Sequence, residues 1–416
     1  MLKKISFNLL SLISIQGSNA ILPIVVFPYV LAKLGNVLYS QIVLTESIMF
    51  IVYALVLYSF EIDGVSKAVK YNDQNMKNKL SSLFTHLLLI RLIIFFVCLV
   101  IVAVFSFFFF KDYFILLLLW LLFPLGFIFQ NSYFYIGTEN NVPLAIIVLI
   151  FRFLCISAIL YFVNSNSPAL IVPLIIGLTY FFGGFTSFLY LIFTKKIKIT
   201  CIKFFYLKEL INDGKEIFLG NISVLMFKDL NVLVIGILTF NPLAISAYSI
   251  SEKIIKSIQA TIRPLNQFYY PKGVRLIQSI KKPNTKSFLK ILSVTSIQLK
   301  VLLTLVLIIS LIIIFFYDYI LLIKSFDNFG MVVSLCSIMI ISVFFGVANF
   351  MFGLLGLNHL GEKKYMASSI FVTGLATLIL LFILVNYLNA YGASISFVLS
   401  EMILFGLICK KYYNKS

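Results

Sequence analysis

The most constraining feature of this chain is its uninterrupted apolar runs of about twenty residues or more, the length an α-helix needs to cross a hydrocarbon core of roughly 30 Å. Residues 92–110 are one such run. The runs are apolar and β-branched on every face, not alternating over about ten residues, which excludes a transmembrane β-barrel. Only 12% of the 416 residues are charged and 61% are hydrophobic, whereas a soluble chain carries about 25% charged residues. So few ionic groups could not cover a water-facing surface of this size. The expected fold is an all-α membrane protein of about twelve transmembrane helices.

The expected spans are 8–31, 40–62, 83–109, 114–136, 142–163, 168–193, 217–239, 243–265, 293–316, 329–357, 365–387 and 391–409. Connections on one side hold 22 lysines and arginines, among them Lys67, Lys70, Lys195, Lys196, Lys208, Arg275 and Lys363. Those on the other side hold three: Lys33, Lys111 and Lys324. By the positive-inside rule both termini are cytoplasmic. The net charge of +18 is therefore read as topology-setting lysine, with no nucleic-acid partner implied. The connections near 194–216 and 264–290 are basic and amphipathic, expected against anionic headgroups. No outward connection exceeds about a dozen residues, so no periplasmic domain is expected.

The connection after the sixth span halves the chain into lobes 1–200 and 201–416. A short internal correspondence supports the halving: 34–48 lies over 240–254, matching Ser40 to Ser246, Glu46 to Glu252 and Ile48 to Ile254. Two similar halves are the architecture expected of secondary transporters. The five cysteines (Cys98, Cys155, Cys201, Cys336, Cys409) lie mostly in apolar runs without ligand spacing and are read as thiols. His86 and His359 are read as interfacial. No nucleotide-binding or hydrolase motif occurs, and neither a metal nor an organic cofactor is expected.

Ionisable residues inside the spans carry the functional signal. They are Glu46, Arg91, Arg152, Lys228, Asp229, Glu252, Lys253, Lys256 and Arg263. Each costs about 2.5–3.5 kcal/mol at the bilayer centre, so they must face the protein interior or water, or snorkel from a span end. In the eighth span Tyr248, Ser249, Glu252, Lys256, Gln259 and Arg263 share one face. That stripe reads as a cavity wall, with a helix–helix seam pairing Glu252 to Lys256 as the rival. Six bases against three acids make a cavity net cationic and suited to an anionic phosphate or pyrophosphate. Arg91 is equally placed to snorkel; Arg152 and Lys228 sit near the midplane. Gln16, Asn19 and Pro23 share a face of the first span, where proline permits a gating bend or a static kink.

Three stretches carry a family resemblance. GSNAILPIVVFPYVLAKLGNVLYS (17–40) has Gln16 to Asn19, Phe27-Pro28-Tyr29 and Leu34-Gly35. Residues 227–276 have Tyr248, Lys253-Ile254 and Tyr270-Pro271-Lys272; YIGTENNVPLAI (135–146) has a Gly-x-Glu. Together they resemble the polysaccharide-transporter family, the O-antigen flippases of the MOP superfamily. The tryptophan and glutamine usual before that glycine are Phe134 and Ile136 here. The resemblance implies a bacterial inner-membrane protein with two six-helix lobes and alternating access. It also implies an undecaprenyl-pyrophosphate-linked oligosaccharide as substrate, moved from the cytoplasmic to the periplasmic leaflet. Polysaccharide polymerase and chain-length regulator are the protein partners it implies. Arg91, Arg152, Lys228, Lys253, Lys256 and Arg263 become anion-binding candidates, and Glu46, Asp229 and Glu252 candidates for a coupling proton or sodium ion. Three rivals remain: a cation-coupled exporter of the same superfamily, which favours an acidic cavity; a polymerase or ligase, which would carry a large periplasmic loop; and a structural scaffold, which leaves the polar stripe unexplained.

Overall fold

The apolar runs fold into long helices. The computed structural model describes residues 2–277, 282–315 and 329–413, and their side chains except 2–9, 12–13, 109, 261–274, 305 and 308–315. In chain order the helices are α1 (Leu2–Leu57), α2 (Asp63–Asp73), α3 (Lys77–Phe109), α4 (Phe114–Trp120), α5 (Leu122–Gln130), α6 (Ser132–Gly137), α7 (Asn141–Phe162) and α8 (Ile171–Phe193). There follow α9 (Phe204–Lys228), α10 (Asn231–Thr239), α11 (Pro242–Ile277), α12 (Thr285–Phe315), α13 (Phe329–Ala348), a π-helix (Asn349–Leu357) and α14 (Lys363–Tyr413).

Among the described residues eight helices are long and apolar enough to span a bilayer, and α9 with α10 forms a bent ninth. Two of the eight, α1 and α14, each hold two expected spans. The polar α11 lies over the expected eighth span, which brings the crossings to twelve. Neither double helix is straight. In α1 the only non-helical residue is Gly35, at φ 73°, a left-handed conformation that glycine adopts without steric cost. Phe27 and Tyr39, about 18 Å apart along a straight helix, have ring centroids 6.3 Å apart, so the chain doubles back at Gly35. In α14 the break is Asn389 at φ 51°, and Ser396 reaches the Thr377 carbonyl at 3.4 Å.

The fold divides into two compact units, Met1–Leu225 and Met226–Ser416. The expected division near residue 200 thus falls inside the first unit, because α9 is tied there by several contacts. Tyr58, which follows α1 in a left-handed conformation (φ 50°), donates to the Ile211 carbonyl at 3.0 Å. It also stacks on Phe218 at 4.3 Å and accepts from Asn221 at 2.7 Å. Lys67 meets Asp213 at 2.6 Å. The connection before α9, expected against headgroups, is held by protein as well. Thr200 N–H donates to Thr85 at 3.1 Å and Lys203 N–H to His86 Nε2 at 2.9 Å. His86 is fully buried, a structural pin where an interfacial residue was expected.

The first unit's core gathers Phe60, Phe84, Tyr133, Phe134 and Leu207. Its α2 and α6 pack so closely that a Cβ on Gly137 would meet the Ala68 Cβ at 2.5 Å; small residues allow such approach between helices. The second unit's core centres on Met351, Phe352, Leu355 and Tyr412, with Phe288 stacked on Phe352 at 4.5 Å.

Candidate functional site

The in-membrane charges form one cluster in each unit. In the first, Arg91 on α3 has no exposed surface and pairs with Glu61 at 2.8 Å. It therefore points inward, not toward an aqueous interface. Glu61 also accepts from Ser132 at 2.7 Å. The guanidinium lies 5.7 Å from the Phe60 ring and 5.2 Å from that of Tyr133, and its Nε and Nη1 have no hydrogen-bond acceptor. Aromatic faces are the remaining compensation for those N–H groups.

Arg152 on α7 differs. It is 4% exposed, its Nε donates to Asn19 Oδ1 at 3.0 Å, and its guanidinium lies 3.4 Å from the centroid of Tyr180. No carboxylate pairs with it among the described residues. Glu46, buried on α1, lies with Arg152 in electrostatic reach of Tyr180. Asn19, expected to bend the first span, thus joins α1 to Arg152 of α7. Gln16 Oε1 is buried without a partner, and α1 keeps helical dihedrals through Pro23 and Pro28. The Phe-Pro-Tyr motif also joins these helices: Tyr29 donates to the Leu160 and Val163 carbonyls at 3.1 and 3.0 Å.

In the second unit the helix breaks between α9 and α10, and Lys228 and Asp229 at the break point to different partners. Lys228 pairs with Glu401 of α14 at 2.7 Å. Asn349, first residue of the π-helix, donates to Glu401 Oε2 at 2.7 Å and to its carbonyl at 3.0 Å. A π-helical turn beside a buried charge is a frequent companion of function. Lys256 of α11 bridges Asp229 at 2.6 Å and Glu252 at 2.9 Å. The seam reading of the stripe therefore holds for Glu252 and Lys256, while Tyr248 and Ser249 are buried. Lys253 is partly buried within electrostatic reach of Glu252. The side chain of Arg263, like those of Tyr270-Pro271-Lys272, lies outside the described residues.

Glu61 and Glu401 also lie within the expected spans 40–62 and 391–409, and Lys300 within 293–316. With these three the spans hold five acids against seven bases, nearer to balance than six to three. Span boundaries alone locate all three. Arg91, Lys228 and Lys256 are neutralised locally, and Arg152 is the described guanidinium left with neutral partners.

The arrangement of twelve spans defines a class. The chain has the fold of the MATE transporters of the MOP superfamily. It is similar to an inward-facing multidrug resistance MATE family transporter with a TM-score of 0.69 at 14% identity, over 94% of this chain and 92% of that one. A eukaryotic MATE transporter gives 0.55 at 14% identity, over 98% and 94%. In sequence the chain is similar to a protein of Escherichia coli (strain K12) named "Putative O-antigen transporter", 20% identical over 267 residues. That match spans 64% of this chain and 64% of the relative's length. No protein-family model matches the sequence.

Proposed function

We propose that the chain is a transporter that moves an undecaprenyl-pyrophosphate-linked oligosaccharide from the cytoplasmic to the periplasmic leaflet of a bacterial inner membrane by alternating access. The observation that carries the reading is Arg152, buried at mid-span with Asn19 and Tyr180 as partners and no carboxylate. Keeping a guanidinium in a membrane interior is costly, and stacking on one ring returns only about 2 kcal/mol. A planar fork of donors with no resident anion suits a phosphate oxygen pair. The similarity to the Escherichia coli protein supports an O-antigen unit as cargo. Glu46 and Glu252 are the carboxylates proposed to take up a coupling proton or sodium ion, and polymerase and chain-length regulator the partners that receive the product.

The second reading, cation-coupled export of small molecules, is favoured by the acids Glu61 and Glu401, which reduce the basic excess. The similarity in fold to a multidrug resistance MATE family transporter supports this second reading. Proteoliposomes loaded with lipid-linked oligosaccharide distinguish the two. Leaflet transfer by the parent chain is expected to fall more than tenfold in Arg152→Ala and to recover partly in Arg152→Lys, which restores charge without the fork. Parental transfer in both Arg152→Ala and Lys256→Ala would overturn the site. Gradient-driven efflux of a cationic dye with no movement of the oligosaccharide would establish the second reading instead.

A further inference from the structure

The outer side of the first unit carries a groove of about 260 Å³ between α3 and the start of α9. Ile90, Ile93, Ile94, Leu207 and Ile211 form its walls, and Lys208 and Asn212 stand at its rim. Two features beyond shape identify an occupant.

The first is how charge is sorted on α9. At about 100° per residue, Phe204, Lys208, Ile211, Asn212, Lys215 and Leu219 fall within one arc of about 100°. Glu209, Asp213 and Glu216 fall on the adjoining flank. The acidic flank is turned toward α2, where Asp213 is neutralised by Lys67. The groove side keeps only basic charge, Lys208 and Lys215, and neither forms an ion pair among the described residues. The second feature is the wall. On α3, Ile90, Ile93, Ile94, Val97 and Ile101 form one helical stripe, with Ile93, Val97 and Ile101 51%, 55% and 61% exposed. From Ile90 to Ile101 the stripe runs about 16 Å, about half of the roughly 30 Å hydrocarbon core. An apolar track one leaflet deep, capped by two lysines and an amide, matches one long-chain lipid with an anionic headgroup.

We propose that this groove is a binding site for an anionic phospholipid of the bilayer, its phosphate held by Lys208, Lys215 and Asn212 and its acyl chain laid along α3. The site is separate from Arg152 and does not depend on the transport reading. Bound lipid would fasten the start of α9 to α3, adding to the bonds that Thr85 and His86 of α3 accept from the Thr200 and Lys203 N–H groups.

The test is native mass spectrometry of the delipidated full-length protein with dioleoyl phosphatidylglycerol and dioleoyl phosphatidylcholine in equal amounts. The parent chain is expected to retain phosphatidylglycerol at least fivefold over phosphatidylcholine. Lys208→Ala with Lys215→Ala should abolish that preference while leaving the thermal midpoint without lipid unchanged. Ile93→Trp, which fills the track, should lower retention of both lipids. Equal retention by the parent chain, a preference that survives loss of both lysines, or no effect of Ile93→Trp would each overturn the proposal.

Discussion

Arg91 and Arg152 show how two buried arginines come to do different work. Arg91 is matched by Glu61 and flanked by two rings, and its environment reads as structural. Removing one member of a buried pair leaves the other without compensation, at a cost of about 3–5 kcal/mol. Glu61 keeps 30% of its side-chain surface exposed, so Arg91→Ala is expected near the lower end, read as a fall in unfolding midpoint in detergent. Arg91→Met combined with Glu61→Gln should recover most of that loss, since replacing both partners removes the stranded charge. A double variant as unstable as the single one would mean that Arg91 serves something besides this pair. The sequence exposed both arginines through their cost in an apolar run. It could not tell them apart, because the difference lies in Glu61 and Asn19, supplied by distant segments.

The element scale adds a titration. The start of α2 holds Asp63, outside the spanning segments, with Oδ2 buried. Burial pushes its carboxyl above the usual value, against the opposing pull of the Ser59 hydroxyl and the Lys67 ammonium and with the support of nearby Asp213. Between the unfolded and the folded value the folded chain therefore holds a proton that the unfolded chain has released. The stability it contributes is full below the unfolded value near 3.9 and is lost as pH rises through the folded one. Asp63→Asn should be more stable than the parent at pH 7, with the advantage vanishing toward pH 4 in thermal unfolding series. A constant difference at all pH values would show that packing, not ionisation, sets it. Elements were legible where the apolar run alone decides them: α3, α7 and α8 lie close to their expected spans. Those made by backbone detail were not. The fourth expected span is three short helices with Asn131 left-handed between two of them, and α11 runs twelve residues past its expected end. Neither departure changes the apolar pattern from which spans are read.

At the scale of the whole molecule, the lysine distribution makes a prediction of its own. Both termini should lie on the cytoplasmic side, so a fluorescent-protein fusion at either end should glow and a periplasmic phosphatase fusion should be inactive. Opposite results at the two ends would require an odd number of crossings. The twelve-span architecture was legible because each span must satisfy its own backbone hydrogen bonds, which ties length and composition to the fold. The electrostatic character of the interior was less so. Pairs such as Lys228 with Glu401 join residues 173 positions apart, a distance at which a linear charge count carries no information on partners. The doubling-back at Gly35 and Asn389 has a practical consequence. Each reversal is made by a single left-handed residue, with no slack on either side. An epitope or protease site inserted there would splice extra turns into two packed helices at once. Display engineering on this scaffold must therefore use true connections such as 164–167, and leave these two hinges untouched.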